Sequence, residues 1–180
     1  MWVNQGSSTI ATTNGGIFLS MPSTAGVNAV IRKKSAPSTP YTITAHVLPL
    51  LSPASIPVCG LCFRESSSGK IHMFNLYNIV TGSGYNAGLG SSKYTSATAF
   101  SADYTSLNPF PMPANSGVFL RIEDDGTNRK THYSTDGRNF RQFTTVGRTD
   151  FLTADEVGFC VGTVSGTVAA AMMLSSWKEG

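Results

Sequence analysis

Two Asp-Gly dipeptides, Asp125-Gly126 and Asp136-Gly137, constrain the folding of this chain more than any other feature. They separate runs in which apolar and polar residues alternate: Phe119-Leu120-Arg121-Ile122-Glu123, then 128–134, then 139–146 with Phe140, Phe143 and Val146. Asp-Gly between alternating runs is the strongest short-range hairpin signal. A type I′ turn needs φ > 0 at both central residues, and glycine adopts it without steric penalty. The stretch 117–146 therefore predicts an antiparallel β-meander with I′ turns at its tips.

The remaining sequence is punctuated in the same way. Turn clusters separate candidate strands at 8–13, 16–20, 27–33, 41–48, 58–65, 70–80, 157–161 and 167–177, the first two flanking Asn14-Gly15. The Pro/Ser-rich stretches 35–40 and 49–57 and the proline-bearing 108–115 read as loops. The run 82–90 is Gly- and Asn-rich, so strand register is weakly specified there. Thr153-Ala154-Asp155-Glu156 is suited to cap one short helical turn, but no stretch sustains helical periodicity. With no internal repeat or linker, 180 residues fit one domain, 1–180. Charged residues make up only 13%, against roughly 25% in typical soluble domains, which argues against long surface helices. The expectation is an all-β antiparallel sandwich or barrel.

Composition also excludes partners. The net charge is +3 and Arg32-Lys33-Lys34 is the only basic cluster. A nucleic-acid footprint needs a broad basic face, so DNA and RNA are excluded as primary partners. The longest apolar runs, such as 168–174, fall far short of the ~20 residues of a membrane span, so no membrane insertion is expected. Three cysteines cannot form a complete disulfide framework, and residues 1–6 lack the basic start and apolar core of a signal peptide. Those features predict a soluble chain made in a reducing cytoplasm.

Strand periodicity separates faces. Cys59, Leu61 and Phe63 share one side of their strand, with Gly60, Cys62 and Arg64 opposite. Leu120 and Ile122 oppose Phe119, Arg121 and Glu123. Each strand then shows an apolar face to the core and a mixed face carrying Arg. Glycan recognition wants exposed rings together with hydrogen-bonding side chains. Arg64, Asn75, Tyr77, Arg121 and Glu123 form such a ligand- or partner-binding set if their strands are neighbours. The plain structural reading makes Tyr77 a core or rim residue, and Arg121 and Glu123 cross-strand partners.

No catalytic or metal motif emerges. Glu123-Asp124-Asp125 is the only acidic cluster; hairpin chemistry explains it, with Ca²⁺ chelation the functional alternative. Cys59-x-x-Cys62 suggests zinc, but in a strand the two thiols point to opposite faces and no second such pair exists. Buried free thiols are the better reading for Cys59, Cys62 and Cys160. His46, His72 and His132 are scattered, and no Gly-x-Ser-x-Gly elbow supports a Ser-His-Asp triad. Gly82-Ser83-Gly84 and Gly88-Leu89-Gly90 lack a following Lys-Ser/Thr or helix, so they read as loop glycines. Trp2 and Trp177 read as packing residues on terminal strands.

The ordered series Gly60-Leu61-Cys62-Phe63-Arg64, Leu120-Arg121-Ile122, Tyr133-Ser134-Thr135-Asp136-Gly137 with Phe140, and Val157-Gly158-Phe159 resembles the concanavalin A-like jelly-roll superfamily. It is most similar to the lectin-like C-terminal modules of family 43 xylosidases and to laminin-G-like domains. A second resemblance, to virion proteins of tailed bacteriophages and prophages, is carried by Trp2-Val3-Asn4-Gln5-Gly6, Gly15-Gly16-Ile17, Ile31-Arg32-Lys33-Lys34, Pro40-Tyr41-Thr42-Ile43-Thr44-Ala45, Arg64-Glu65-Ser66-Ser67-Ser68-Gly69-Lys70, Gly147-Arg148-Thr149-Asp150-Phe151-Leu152-Thr153 and Ser175-Ser176-Trp177-Lys178. The first resemblance implies a concanavalin A-like jelly roll, with the terminal strands that carry Trp2 and Trp177 side by side. The second implies a non-enzymatic virion structural module, in capsid decoration or a tail fibre, assembling with other virion proteins and as a homo-oligomer. Adhesion to a host surface glycan is the alternative function. Enzymatic relatives add a glycoside hydrolase as a third reading, but the Glu-x-Asp-x-x-Glu spacing of jelly-roll glucanases is absent from this sequence.

Overall fold

The computed structural model of the protein describes residues 1–13, 15–52, 55–81, 84–109 and 115–180, with only the backbone course of 79–81, 84–86 and 106–109. The described residues form β1 (Trp2–Val3), β2 (Thr9–Thr13), β3 (Gly16–Ala25), β4 (Asn28–Ser35), β5 (Tyr41–Leu51), β6 (Pro57–Arg64), β7 (Ile71–Thr81), β8 (Gly84–Ser96), β9 (Ala99–Pro109), β10 (Val118–Asp124), β11 (Asn128–Ser134), β12 (Arg141–Gly147), β13 (Glu156–Thr163) and β14 (Thr167–Glu179). Two seven-stranded antiparallel sheets result, in the orders β1-β4-β13-β6-β7-β8-β9 and β12-β11-β10-β5-β14-β3-β2. They pack face to face around a core that includes Leu19, Ile43, Leu61, Phe63, Phe74 and Leu120. Of the sandwich or barrel that the alternating strands predict, this is the sandwich, and it is the jelly roll that the first resemblance implies.

The meander of β10, β11 and β12 lies where the Asp-Gly signals put it, but its turns differ. Only the glycines have positive φ, 90° at Gly126 and 71° at Gly137. The aspartates keep negative φ and act through their carboxylates. Asp125 Oδ1 accepts from the N–H groups of Thr127 (2.8 Å) and Asn128 (2.6 Å), and Asp136 Oδ1 from those of Arg138 and Asn139 (both 2.8 Å). Side-chain closure thus replaces the second left-handed residue of a type I′ turn.

The first sheet curls strongly. The tip of the β8–β9 hairpin reaches β4 near the opposite edge, where Ala29 N–H donates to the carbonyl of Ala97 (2.7 Å). Twisted sheets coil, and glycine lets adjacent strands close in. A Cβ at Gly60 would sit 2.1 Å from the carbonyl oxygen of Phe74, and one at Gly158 2.4 Å from that of Arg32. The face inside this curl, away from the inter-sheet core, holds a second buried apolar cluster of Ile31, Cys62, Ile71, Met73, Tyr94 and Cys160. The expected mixed face is therefore largely apolar on this sheet. Cys59 points into the inter-sheet core, and all three thiols are buried and free.

Other departures have local causes. β5 continues through Pro49 to Leu51, where a loop was expected. Its pairing with β14 and the burial of Leu51 outweigh the proline. β8 pairs residue for residue with β7 from Gly84 to Tyr94, so the Gly/Asn-rich run has a defined register. β9 was not foreseen, and it takes Asn108 and Pro109 from the expected loop. Residues 110–114 of that loop and Asn14 of the expected Asn14-Gly15 turn lie outside the described residues. The segment 153–155 is not helical. The Asp155 carboxylate instead accepts from Ser66 N–H (2.7 Å), and Asp155 N–H donates to the carbonyl of Arg64 (3.1 Å), which holds the chain extended into β13. Trp2 and Trp177 fall on different sheets, not side by side.

Candidate functional site

Inside the curl of the first sheet, polar side chains gather on β7, β8 and β9. Register places Asn75 opposite Gly90, Tyr77 opposite Gly88, and Ser92 opposite Asp103. The Ser92 hydroxyl donates to Asp103 Oδ1 at 2.7 Å and lies 3.4 Å from Asn75 Oδ1. The two glycines form a floor without side chains, over which the larger groups lie. A Cβ at Gly88 would be 2.1 Å from Tyr77 Cζ, and one at Gly90 3.1 Å from Asn75 Nδ2. Asn75, Tyr77 and Ser92 are buried, whereas Asp103 is exposed, so the cluster opens to solvent at the β9 edge.

The Tyr77 hydroxyl, like those of Tyr41 and Tyr94, is buried with no hydrogen-bond partner among the described residues. Burial first, and then the charge of Asp103, push its pKa well above the ordinary phenol range, so it remains a neutral donor. A buried polar group without a partner costs about 1–3 kcal/mol, and native structures rarely leave one so. A ligand hydroxyl is the kind of group that would satisfy it. Asn75 (donor and acceptor), Ser92 (donor and acceptor) and Asp103 (acceptor) match the alternating donor and acceptor character of a sugar's hydroxyl groups.

The five residues singled out from sequence are not brought together. Arg64, Asn75 and Tyr77 lie on the curled sheet, and Arg121 and Glu123 on the outer face of the other sheet. Even on the curled sheet Arg64 stands apart, bound with Lys33 to the carboxylate of Glu156. Tyr77 has no exposed ring face for stacking. Arg121 donates from Nε to Thr44 Oγ1 at 2.9 Å and lies over the ring of Phe140, its Cζ 3.6 Å from the centroid. Glu123 pairs with Lys130 (3.1 Å) and His132 (3.3 Å). Ser92 and Asp103 escaped the sequence reading, although the alternation in 91–105 around Tyr94, Phe100 and Tyr104 carries a strand signal.

The acidic cluster at the hairpin tip is dispersed by cations. Asp124 is buried against Arg148 Nε, 3.1 Å from both its oxygens, and Asp125 lies 2.7 Å from Lys130 Nζ. Lys130, with the N–H groups of Asn128 and Thr127, holds the Asp125 carboxyl well below the usual range. Of the carboxylates expected as a Ca²⁺ alternative, Glu123 and Asp125 thus share Lys130, and Asp124 is held by Arg148. Among the described residues no three His, Cys, Asp or Glu side chains gather for a metal ion.

A buried Ser-His pair does exist in the core. His72 Nε2 lies 2.7 Å from Ser91 Oγ, and its Nδ1 lies 3.3 Å from Arg129 Nη1. Arginine only donates, so Nδ1 accepts and Nε2 carries the proton that it donates to Ser91. A catalytic histidine must accept the serine proton, so the polarity here is the reverse of a triad. Burial, then the charges of Arg129 and Lys93, lower the His72 pKa well below its ordinary value. The group is a neutral structural link.

No protein-family model matches the chain, and no curated protein does. Solved structures with the same fold include the carbohydrate-binding module CBM66 from Bacillus subtilis, at 14% identity, TM-score 0.59, covering 99% of this chain and 94% of that one. A lectin from Bauhinia forficata in complex with GalNAc matches at 10% identity, TM-score 0.56, with coverage of 96% and 89%. Xylan β-1,4-xylosidase from Bacillus halodurans C-125 matches at 14% identity, TM-score 0.59, over 90% of this chain, which spans only 32% of that enzyme. Likeness at these identities shows the fold alone.

Proposed function

We propose that this chain is a non-catalytic carbohydrate-binding module that takes a sugar at the curled face of its first sheet. The unpartnered hydroxyl of Tyr77, set beside Asn75, Ser92 and Asp103 over a glycine floor, carries the reading. The lectin and carbohydrate-binding module among the structural neighbours support it. A virion-structural role, which the sequence resemblance puts first, draws no support from those neighbours, so the glycan-binding alternative moves ahead. Against hydrolysis, Glu156 on the same face has both oxygens held by Lys33 and Arg64, whereas a glycosidase needs two carboxyl groups flanking one bond.

The test is a glycan array followed by titration calorimetry, comparing the parent chain with Asp103→Ala and Tyr77→Phe. Asp103 is exposed, so its substitution is expected to leave the fold intact, which an unchanged unfolding midpoint checks. Saccharide binding that both changes weaken supports the proposal. Absence of binding to every glycan, or binding indifferent to both changes, overturns the assignment of this site.

A further inference from the structure

We infer that the outer face of the second sheet binds an acidic polysaccharide, one whose sugars carry carboxylates. This rests on the carbohydrate-binding reading and adds a second face and a ligand class. Register lines up Gln142, His132, Arg121, Thr44 and Lys178 on the adjacent strands β12, β11, β10, β5 and β14. At about 4.8 Å between strands, the row crosses about 19 Å of sheet.

A bulge makes this row. Leu174 pairs with Val47 but Ser176 pairs with His46, so Ser175 is the extra residue. The shift turns Trp177 toward the inter-sheet core, its ring 6.2 Å from that of Phe159, and turns Lys178 outward beside Thr44.

Within the row Arg121 is held rigid. Its Nε bonds Thr44, its plane rests on Phe140, and its two terminal nitrogens have no acceptor among the described residues. An immobilised guanidinium fork with both outer nitrogens free is the geometry that takes a carboxylate through two hydrogen bonds. Lys130 already faces two carboxylates, those of Glu123 and Asp125, whereas Arg121 and Lys178 make no ion pair among the described residues. The row therefore presents two cations without acidic partners, interleaved with the neutral groups Gln142, His132 and Thr44, which suit sugar hydroxyls. Beside it the half-buried ring of Phe119, 4.4 Å from that of His46, offers an apolar surface to sugar C–H groups. Two cations spaced among neutral donors lack the broad basic face that a nucleic acid requires.

The experiment is affinity electrophoresis and calorimetry at low salt with polygalacturonate, a neutral soluble xylan and single-stranded DNA as probes. The variants are Arg121→Lys, Lys178→Gln and Asp103→Ala, each checked for an unchanged unfolding midpoint. Polygalacturonate is expected to bind and to weaken as salt rises. Arg121→Lys, which keeps charge but loses the fork, is expected to bind about tenfold more weakly, and Lys178→Gln a few-fold more weakly. Asp103→Ala is expected to leave acidic binding unchanged. Indifference to Arg121→Lys, or equal affinity for single-stranded DNA, overturns the inference. Xylan binding through Asp103 with no polygalacturonate binding overturns it while the module reading stands. Failure of every glycan overturns both.

Discussion

Replacing Tyr77 by phenylalanine should make the free protein more stable while weakening its ligand binding, and the opposed signs make this the sharpest test of the site. The aromatic ring lies against the floor at Gly88, and phenylalanine keeps that contact without opening a cavity. What disappears is a hydroxyl buried without a partner. Leaving such a group unsatisfied costs about 1–3 kcal/mol, so its removal should stabilise the free state by about 1 kcal/mol. For a domain of this length that corresponds to a rise in Tm of about 2–4 °C. The complex should lose one neutral hydrogen bond of about 0.5–1.5 kcal/mol, and with the gain of the free state binding weakens by about 1.5–2.5 kcal/mol, or about 10- to 70-fold in Kd. Calorimetric unfolding with and without saturating saccharide measures both effects on one sample. A lower Tm for the free variant would refute the reasoning, because it would mean that the hydroxyl contributes favourably in the absence of ligand.

Two further outcomes follow from buried groups. His72 has a pKa depressed in the fold by burial, Arg129 and Lys93, so below about pH 6.5 the unfolded chain takes up a proton that the folded chain does not. Its contribution is complete above that pH and is lost on acidification, by about 1.4 kcal/mol between pH 7.5 and 5.5. Urea unfolding of the parent and of His72→Gln, which keeps an acceptor for Arg129, should show the acid limb flattened in the variant; identical limbs would contradict the assignment. Gly88→Ala drives a Cβ to 2.1 Å from Tyr77 Cζ and should cost about 1–3 kcal/mol, read as a lower urea midpoint. In Gly88→Ala/Tyr77→Ala most of that cost should vanish as coupling between the two sites, and an additive double variant would oppose the contact.

The chain's class and much of its face assignment were legible in one dimension because they depend on local chemistry. Period-two alternation told Cys59, Leu61 and Phe63 from Gly60, Cys62 and Arg64, and the Asp-Gly pairs located the meander of β10, β11 and β12. Both signals act within a few residues, where side-chain direction and turn preference are set. Local chemistry also misled. The Gly- and Asn-rich run before Tyr94 looks weakly registered, yet β7 on one side and β9 on the other fix it, and propensity has no access to those neighbours.

The faces to which binding is assigned were decided only in three dimensions. Arg64 and Arg121 carry the same alternating signature, but strand order sends them to opposite sheets, and sequence alternation does not encode strand order. The curl that buries Tyr77 over Gly88 depends on contacts between strands far apart in sequence, such as the bond from Ala29 to Ala97. One extra residue at Ser175 sets which of Trp177 and Lys178 meets the core, because a bulge inverts every side chain that follows it. Local chemistry made this chain all-β, built of short alternating strands. Which residues would share a face was left to pairing partners, since the free energy that selects them lies in long-range packing.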